Sequence, residues 1–157
     1  MVTPPDHDEV LATVATFFAA FVSGPGVADG ALRLREVLDP GAVVVRAGGA
    51  APTTYSVDTF IEPRVELLRS GSLEDFREWV TSARVDLFGD IAQVWCTYAK
   101  EWVTDGEPQQ GRGTKSIQLV RAEDRWRIIA VVWDDERAGL RVPEPGPSRP
   151  QGHPPGQ

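Results

Sequence analysis

The chain of 157 residues, with 41% hydrophobic and 25% charged residues, has the size and composition of one globular domain with a core of its own. Its net charge of −7 at pH 7 argues against general binding to nucleic-acid phosphates. Cys96 is the only cysteine, which excludes an internal disulfide and a thiolate metal cluster. With no signal-peptide pattern and no apolar stretch of membrane-spanning length, we predict a cytoplasmic protein without a membrane segment.

Two helices are predicted before the first strand. In residues 6–23 apolar side chains recur on one helical face, with Val10, Val14 and Phe17 as its anchors. The sequence Ser-Gly-Pro-Gly ends this helix, and a shorter helix is predicted over 28–38.

A strand and a third helix follow. The β-branched run 42–46 predicts a short strand, and the glycine-rich segment 48–52 predicts a flexible loop. Ser56 can cap a helix that extends to about residue 69, although Pro63 should kink or restart it because proline lacks a backbone donor.

From residue 74 onward the apolar pattern changes to a period of two. Gly89-Asp90 predicts a two-residue hairpin turn, and 105–110 a longer connection. We predict four strands in an antiparallel meander, over 74–88, 91–103, 112–122 and 125–134. Helices set apart from such a sheet indicate an α+β fold.

The carboxyl-terminal segment has a different composition from the rest of the chain. Six prolines lie between Pro143 and Pro155, without a large apolar residue that could join a core. We predict one domain over 1–140 and a disordered, proline- and glycine-rich tail over 141–157.

Several local strings resemble those of the NTF2-like superfamily, in particular a bacterial SnoaL-like (DUF4440) subgroup. They include Phe60-Ile61-Glu62-Pro63-Arg64, Phe76-Arg77-Glu78, Phe88-Gly89-Asp90-Ile91-Ala92 and Trp126-Arg127-Ile128. The resemblance covers about residues 8–137. It implies a cone in which a strongly curved, mainly antiparallel sheet wraps three helical segments and leaves an apolar pocket at its open end. This fold serves enzymes and non-catalytic binding domains alike.

The predicted strands carry apolar residues on both faces. Trp95 alternates with Val94 and Cys96, and Trp133 follows Val132. A sheet covered on one side only would alternate more cleanly between apolar and polar residues. Many relatives in the resembling family pair through the outer face of the sheet, so we predict a homodimer formed in this way.

The two histidines lie outside the predicted strands, His7 at the start of the first helix and His153 in the tail. Histidine-based catalysis and a histidine metal site are therefore not expected. Neither a metal nor any other cofactor is predicted.

Carboxylates are then the candidate bases, and Glu78 is the first choice. It lies between Phe76 and Val80 on one predicted strand face, and a carboxylate enclosed by apolar side chains is a stronger base than one in water. Tyr98 is the candidate hydroxyl donor to a developing oxyanion. The alternative for Glu78 is an exposed or ion-paired residue, with Arg112 or Lys100 as its partner.

Six further residues are predicted to contact a ligand. Arg64 could bind an acidic group at the pocket mouth, and the tryptophans could line an apolar wall. Arg112, Ser116 and Gln118 are separated by even numbers of residues and therefore share one face of a predicted strand. The sequence alone does not decide whether this face points inward, because a one-residue shift in register inverts it. The predicted ligand-binding residues are Arg64, Trp102, Arg112, Ser116, Gln118 and Trp133.

Two functions follow from this pattern. The first is a pocket for a small, apolar organic molecule, with isomerase, cyclase or dehydratase chemistry that uses a carboxylate base. The second is a non-catalytic ligand-binding or dimeric association module on the same fold.

Overall fold

A computed structural model describes residues 4–49 and 51–143. The first half of the chain forms three α-helices, with a 3₁₀ turn over Gly24–Gly26 ahead of the second. The third helix is capped by Ser56, whose side chain accepts a hydrogen bond from the Thr59 amide while the Thr59 hydroxyl accepts one from the Ser56 amide. It runs as one helix through Pro63. The helices are α1 (Pro4–Ala19), α2 (Val27–Val37) and α3 (Val57–Arg69).

The first helix ends four residues before its predicted end. After Ala19 the backbone leaves the helix, and Phe21 donates its amide to the carbonyl of Phe18. Helix α2 then packs so close to this turn that a Cβ on Gly30 would overlap the carbonyl oxygen of Ala20. Only glycine allows this approach, which the periodicity of the first helix does not reveal.

Six strands form one sheet, in the order β2-β1-β6-β5-β4-β3. The pair β1–β6 is parallel and the other pairs are antiparallel. The predicted α+β architecture with a mainly antiparallel sheet is therefore confirmed. The strands are β1 (Leu38–Arg46), β2 (Thr53–Tyr55), β3 (Glu74–Phe88), β4 (Ile91–Thr104), β5 (Glu107–Ala122) and β6 (Arg125–Asp135).

Three local features of the strands differ from the prediction, and the first is that β1 starts at Leu38 and not at residue 42. The three-residue strand β2 was not predicted, and the supposed long connection 105–110 is a tight turn with β5 starting at Glu107. Asp105 and Gly106 both have positive φ, 52° and 77°, which is the backbone of a two-residue hairpin turn. The residues after the turn show no alternation of apolar and polar side chains, so hydrophobicity did not indicate this part of the strand.

The helices cover one face of the sheet, which we call the inner face, and leave the other, the outer face, uncovered. Register shifts leave Thr81 of β3 and Ile129 of β6 without a paired residue, and such bulges bend strands. Buried side chains of the inner face include Val94, Ile117 and Ile128. They form the core with the apolar faces of the helices.

The described part of the chain ends at Pro143. The amide of Val142 donates to a carboxylate oxygen of Glu136 at 2.7 Å, so the chain still contacts the domain at this point. The predicted tail lies outside the described residues from position 144 on, and the domain boundary at 140 stays a prediction. Within residues 4–49 and 51–143, no helix has the length and apolar character needed to cross a membrane.

Candidate functional site

A cavity of about 250 Å³ opens between the inner face of the sheet and helices α1 and α3. Its size suits a small organic molecule. Most of its wall is aromatic or aliphatic, and the aromatic side chains are Phe17, Phe21, Phe60, Phe76, Tyr98, Trp102 and Trp133.

A buried ion pair crosses the wall of this cavity. The ammonium nitrogen of Lys115 lies 2.6 Å from Oε1 of Glu78, and the two side chains are only 7% and 8% exposed. The residues come from strands that are not neighbours, β5 and β3, with β4 between them. Removing either partner would leave an uncompensated charge in the interior.

Aromatic rings surround the ammonium group of Lys115. It lies 4.5 Å from the ring centres of both Phe18 and Tyr98, and within 6 Å of those of Phe17, Phe21 and Trp133. Ring faces attract cations, so these contacts partly replace the water that the ammonium group has lost.

A second polar cluster joins Tyr98, Lys100 and Asp135. The Tyr98 hydroxyl donates a short hydrogen bond to Oδ1 of Asp135, and the Lys100 ammonium lies 3.2 Å from the same oxygen. Burial and the bond to Asp135 raise the pKa of Tyr98 well above its usual range, so its hydroxyl stays protonated. Burial also acts to raise the pKa of Asp135, but the Tyr98 hydroxyl and Lys100 outweigh it and the net shift is downward.

Tyr98 fits because the residue opposite it on β5 is Gly113. A Cβ on Gly113 would overlap the tyrosine hydroxyl and lie 2.5 Å from the carbonyl oxygen of Asp134. The glycine is therefore required by the ring across the strand pair.

Arg64 projects from α3 into the aromatic wall. Its guanidinium carbon lies 4.0 Å from the ring centre of Phe60, 5.1 Å from that of Tyr55 and 5.4 Å from that of Trp133. One terminal nitrogen donates to the carbonyl of Phe60 at 3.0 Å. Burial lowers the pKa of this guanidinium, as expected for a cation that has lost its water.

The structure brings five of the predicted site residues to the cavity and leaves three away from it. Lys115, Ile117 and Leu119 face inward on β5, so the residues between them face outward. At the cavity are Glu78, Tyr98, Arg64, Trp102 and Trp133. Arg112, Ser116 and Gln118 lie on the outer face of the sheet.

Four charged cavity residues were not selected from the sequence, namely Arg46, Lys100, Lys115 and Asp135. Lys115 had a usable signal, because it has the same parity as the apolar residues Ile117 and Leu119. The partner of Glu78 is this lysine, and neither Arg112 nor Lys100.

Cys96 lies on the inner face of β4, where it is fully buried. Burial raises the pKa of its thiol to about 11, so the thiolate needed for nucleophilic chemistry is scarce at neutral pH.

Chemically, the wall offers one carboxylate with an unused oxygen next to a fixed cation. Among the described residues, Oε1 of Glu78 accepts from Lys115, and no hydrogen bond is formed by Oε2. A proton could therefore pass between Oε2 and a bound molecule. In the same part of the chain, no three His, Cys, Asp or Glu side chains lie together as metal ligands would.

Known proteins resemble the chain in structure only. No protein-family model and no curated protein matches the sequence. An NTF2-like protein of unknown function from Silicibacter pomeroyi is 21% identical with a TM-score of 0.60, and the match covers 87% of this chain and all of that one. A candidate aromatic ring hydroxylase from Novosphingobium aromaticivorans is 16% identical with a TM-score of 0.70, over 85% of this chain and 91% of that one.

A third solved structure is a candidate Ca²⁺/calmodulin-dependent kinase II association domain from Exiguobacterium sibiricum. It is 11% identical with a TM-score of 0.65, over 87% of this chain and 98% of that one. At these identities the likeness concerns the fold alone. The chain has the NTF2-like fold, as its sequence strings predicted.

Proposed function

We propose that the domain binds a small organic molecule with a largely apolar body in the cavity between its sheet and helices. The observation that carries this proposal is the aromatic wall of a cavity of about 250 Å³ that also holds the buried Lys115–Glu78 pair. Cavities of this kind, apolar with a few convergent polar groups, are typical ligand sites. A SnoaL-like subgroup and a cytoplasmic location remain part of the proposal.

The test uses N-phenyl-1-naphthylamine, an uncharged fluorophore with a naphthyl and a phenyl group, whose fluorescence increases in apolar sites. Leu73 lines the cavity, so Leu73→Trp should narrow it and abolish the fluorescence increase. Leu32 is an exposed residue of α2, and Leu32→Trp is the matched control that should bind like the parent protein. Equal binding by the two variants, or none by the parent, would contradict the cavity as the binding site.

For the chemistry, we propose proton transfer by Glu78, as an isomerase, cyclase or dehydratase requires. Glu78 would take a proton from a carbon of the bound molecule through Oε2, while Lys115 holds the carboxylate in place. The hydroxyl of Tyr98 is already donated to Asp135, so we assign Tyr98 the positioning of Asp135.

A generic probe can test the base without knowledge of the natural substrate. In 5-nitrobenzisoxazole, loss of the ring C–H proton to a base breaks the N–O bond and releases a coloured phenolate. The parent protein should accelerate this opening, and Glu78→Gln should lose most of the acceleration while it still binds the naphthylamine. If the two proteins open the ring at the same rate, the role of Glu78 as base is wrong and the binding proposal stands.

The second candidate function is association through the outer face of the sheet. Side chains of Trp95, Val43 and Val132 are 54%, 44% and 40% exposed there, and the sheet register places Trp95 in one row with Val132 across β5. Exposed apolar groups in a row are typical of an interface. The solved association domain supports this reading as an analogy.

Light scattering at micromolar concentration tests the homodimer. The parent protein should have twice the mass of one chain, and Trp95→Lys should have the mass of a single chain. Because Trp95 points away from the cavity, the variant should still bind the naphthylamine. A parent protein of single-chain mass would exclude the homodimer.

A further inference from the structure

The cavity is positively charged although the protein as a whole is acidic. Four cationic side chains line it, Arg46, Arg64, Lys100 and Lys115, against the two carboxylates of Glu78 and Asp135. The chain as a whole has a formal net charge of −7. The local excess of positive charge is therefore opposite in sign to the surroundings.

The two carboxylates neutralise the two lysines. Glu78 is paired with Lys115 at 2.6 Å and Asp135 with Lys100 at 3.2 Å. Across residues 4–49 and 51–143, no carboxylate lies within ion-pair distance of Arg64 or Arg46. The excess charge of the cavity therefore belongs to the arginines.

Arg64 is held in one orientation with donors to spare. The rings of Phe60, Tyr55 and Trp133 surround its guanidinium, and a terminal nitrogen donates to the Phe60 carbonyl. A guanidinium has five N–H donors, so several remain for a planar acceptor such as a carboxylate. Burial and the nearby charge of Arg46 both lower the pKa of Arg64, and a bound anion would offset both effects.

Arg46, in contrast to Arg64, lies between the cavity and a second depression in the surface. Arg46 is paired with Trp133 in the register of β1 and β6. It borders the cavity on one side, and on the other side a depression that contains Asp134, Asp135 and Glu136. Its charge is shared between these two environments. Arg64 is therefore the contact group, and Arg46 adds attraction at longer range.

We infer that the cavity takes an organic anion, an aromatic or alicyclic carboxylate, whose acid group pairs with Arg64 and whose apolar body contacts the ring-lined wall. This inference rests on the proposed function in one respect, the use of this cavity as the binding site. It adds the class of ligand and the residue that selects it.

The experiment compares two displacing compounds with the same ring and nearly the same size, one of which is an anion and the other uncharged. Bound N-phenyl-1-naphthylamine is displaced with cyclohexanecarboxylate or with cyclohexanecarboxamide, and the two half-displacement concentrations are compared. In the parent protein the carboxylate should displace at about tenfold lower concentration, as expected for one charge-assisted bidentate contact. In Arg64→Gln the two compounds should become equal.

Control variants separate a local effect from general charge. Arg33 is exposed on α2, and Arg33→Gln removes the same charge far from the cavity, so it should keep the tenfold preference. Arg64→Lys keeps the charge without the planar fork and should retain only part of the preference. The comparison within the parent protein needs no variant, so a poorly folded Arg64→Gln does not prevent the test.

The outcomes distinguish the two proposals. If the naphthylamine binds in the cavity and both compounds displace it equally, the inference of an anionic ligand is overturned and the apolar cavity stands. If the carboxylate preference persists in Arg64→Gln, the assignment to Arg64 is overturned. If the naphthylamine does not bind in the cavity at all, the proposed function fails and this inference fails with it.

Discussion

The inner face of the sheet has two halves with opposite character. On β5, Leu119 and Ile117 are buried in the core, whereas Lys115, the next residue of that face, carries a charge. On β6, Ile128 and Val131 are followed by Trp133 and then by Asp135. Strands β4 and β3 also change from apolar to polar residues, from Val94 and Cys96 to Tyr98 and Lys100 on β4 and from Val85 to Glu78 on β3.

Because neighbouring strands among β3 to β6 are antiparallel, this change from apolar to polar residues runs toward the amino terminus in β3 and β5. It runs toward the carboxyl terminus in β4 and β6. The register nevertheless gathers the polar residues at one end. One half stabilises the fold by burying apolar surface, whereas the other places charges where apolar residues would be more stable. Such a division is typical of a functional site on a folded scaffold.

The largest expected effect is in the polar half. Lys115→Met leaves Glu78 buried without its partner and should lower the free energy of unfolding by about 3–5 kcal/mol, measured in urea. The double variant with Glu78→Leu removes both charges and should recover most of the loss. A double variant as unstable as the single one would show that the ion pair is not the cause.

The apolar half gives the contrasting case. Ile117→Ala opens space in the core and should lower the free energy of unfolding by about 2–5 kcal/mol. Binding of the naphthylamine by the folded variant should not change, because Ile117 does not line the cavity. Leu32→Ala, at an exposed position of α2 away from both the cavity and the outer face of the sheet, is the control and should change the unfolding free energy by less than about 0.5 kcal/mol.

A smaller loss is expected where the polar half is packed most tightly. Gly113→Ala places a methyl group against the Tyr98 hydroxyl and the Asp134 backbone, and should lower the free energy of unfolding by about 1–3 kcal/mol. At Gly111, two residues earlier, an added Cβ meets only the flexible side chain of Lys100, so Gly111→Ala should cost less. Equal losses would mean that Tyr98 can move aside.

The smallest expected effect is a dependence on pH. The folded-state pKa of Asp135 is below its ordinary value, so its charged form stabilises the fold above that ordinary value, and the contribution is lost as the pH falls through the folded-state pKa. The difference in unfolding free energy between the parent and Asp135→Asn should therefore be constant near neutral pH and shrink in acid. A constant difference down to pH 2 would contradict the lowered pKa.

The sequence was most informative where periodicity is strong. Strand β3 has the predicted bounds, and α3 starts at the predicted cap, Ser56. Helix α1 was predicted too long because Phe21 remains buried after the helix has ended, so burial continues where the backbone changes. Strand β2 has three residues, too few for any period to be visible.

The site was predictable in part for a similar reason. Glu78 was found because apolar residues flank it on its own strand face, which is local information. Its partner Lys115 lies two strands away, and the pairing depends on a register that the sequence does not display. The inward or outward parity of β5 decided the places of Arg112, Ser116 and Gln118, and the only local signal for it is the pair of apolar residues of opposite parity, Ile117 and Leu119.

The parallel contact between β1 and β6 has a consequence for the order of folding. These strands are adjacent in the sheet, although the rest of the sheet and α3 lie between them in the chain. Closing so long a loop is entropically slow, and the ribosome releases β6 last of all the strands. The wall formed by Arg46 and Trp133 can therefore be completed only once synthesis of the domain has nearly ended, and until then β1 exposes an edge that other chains could bind.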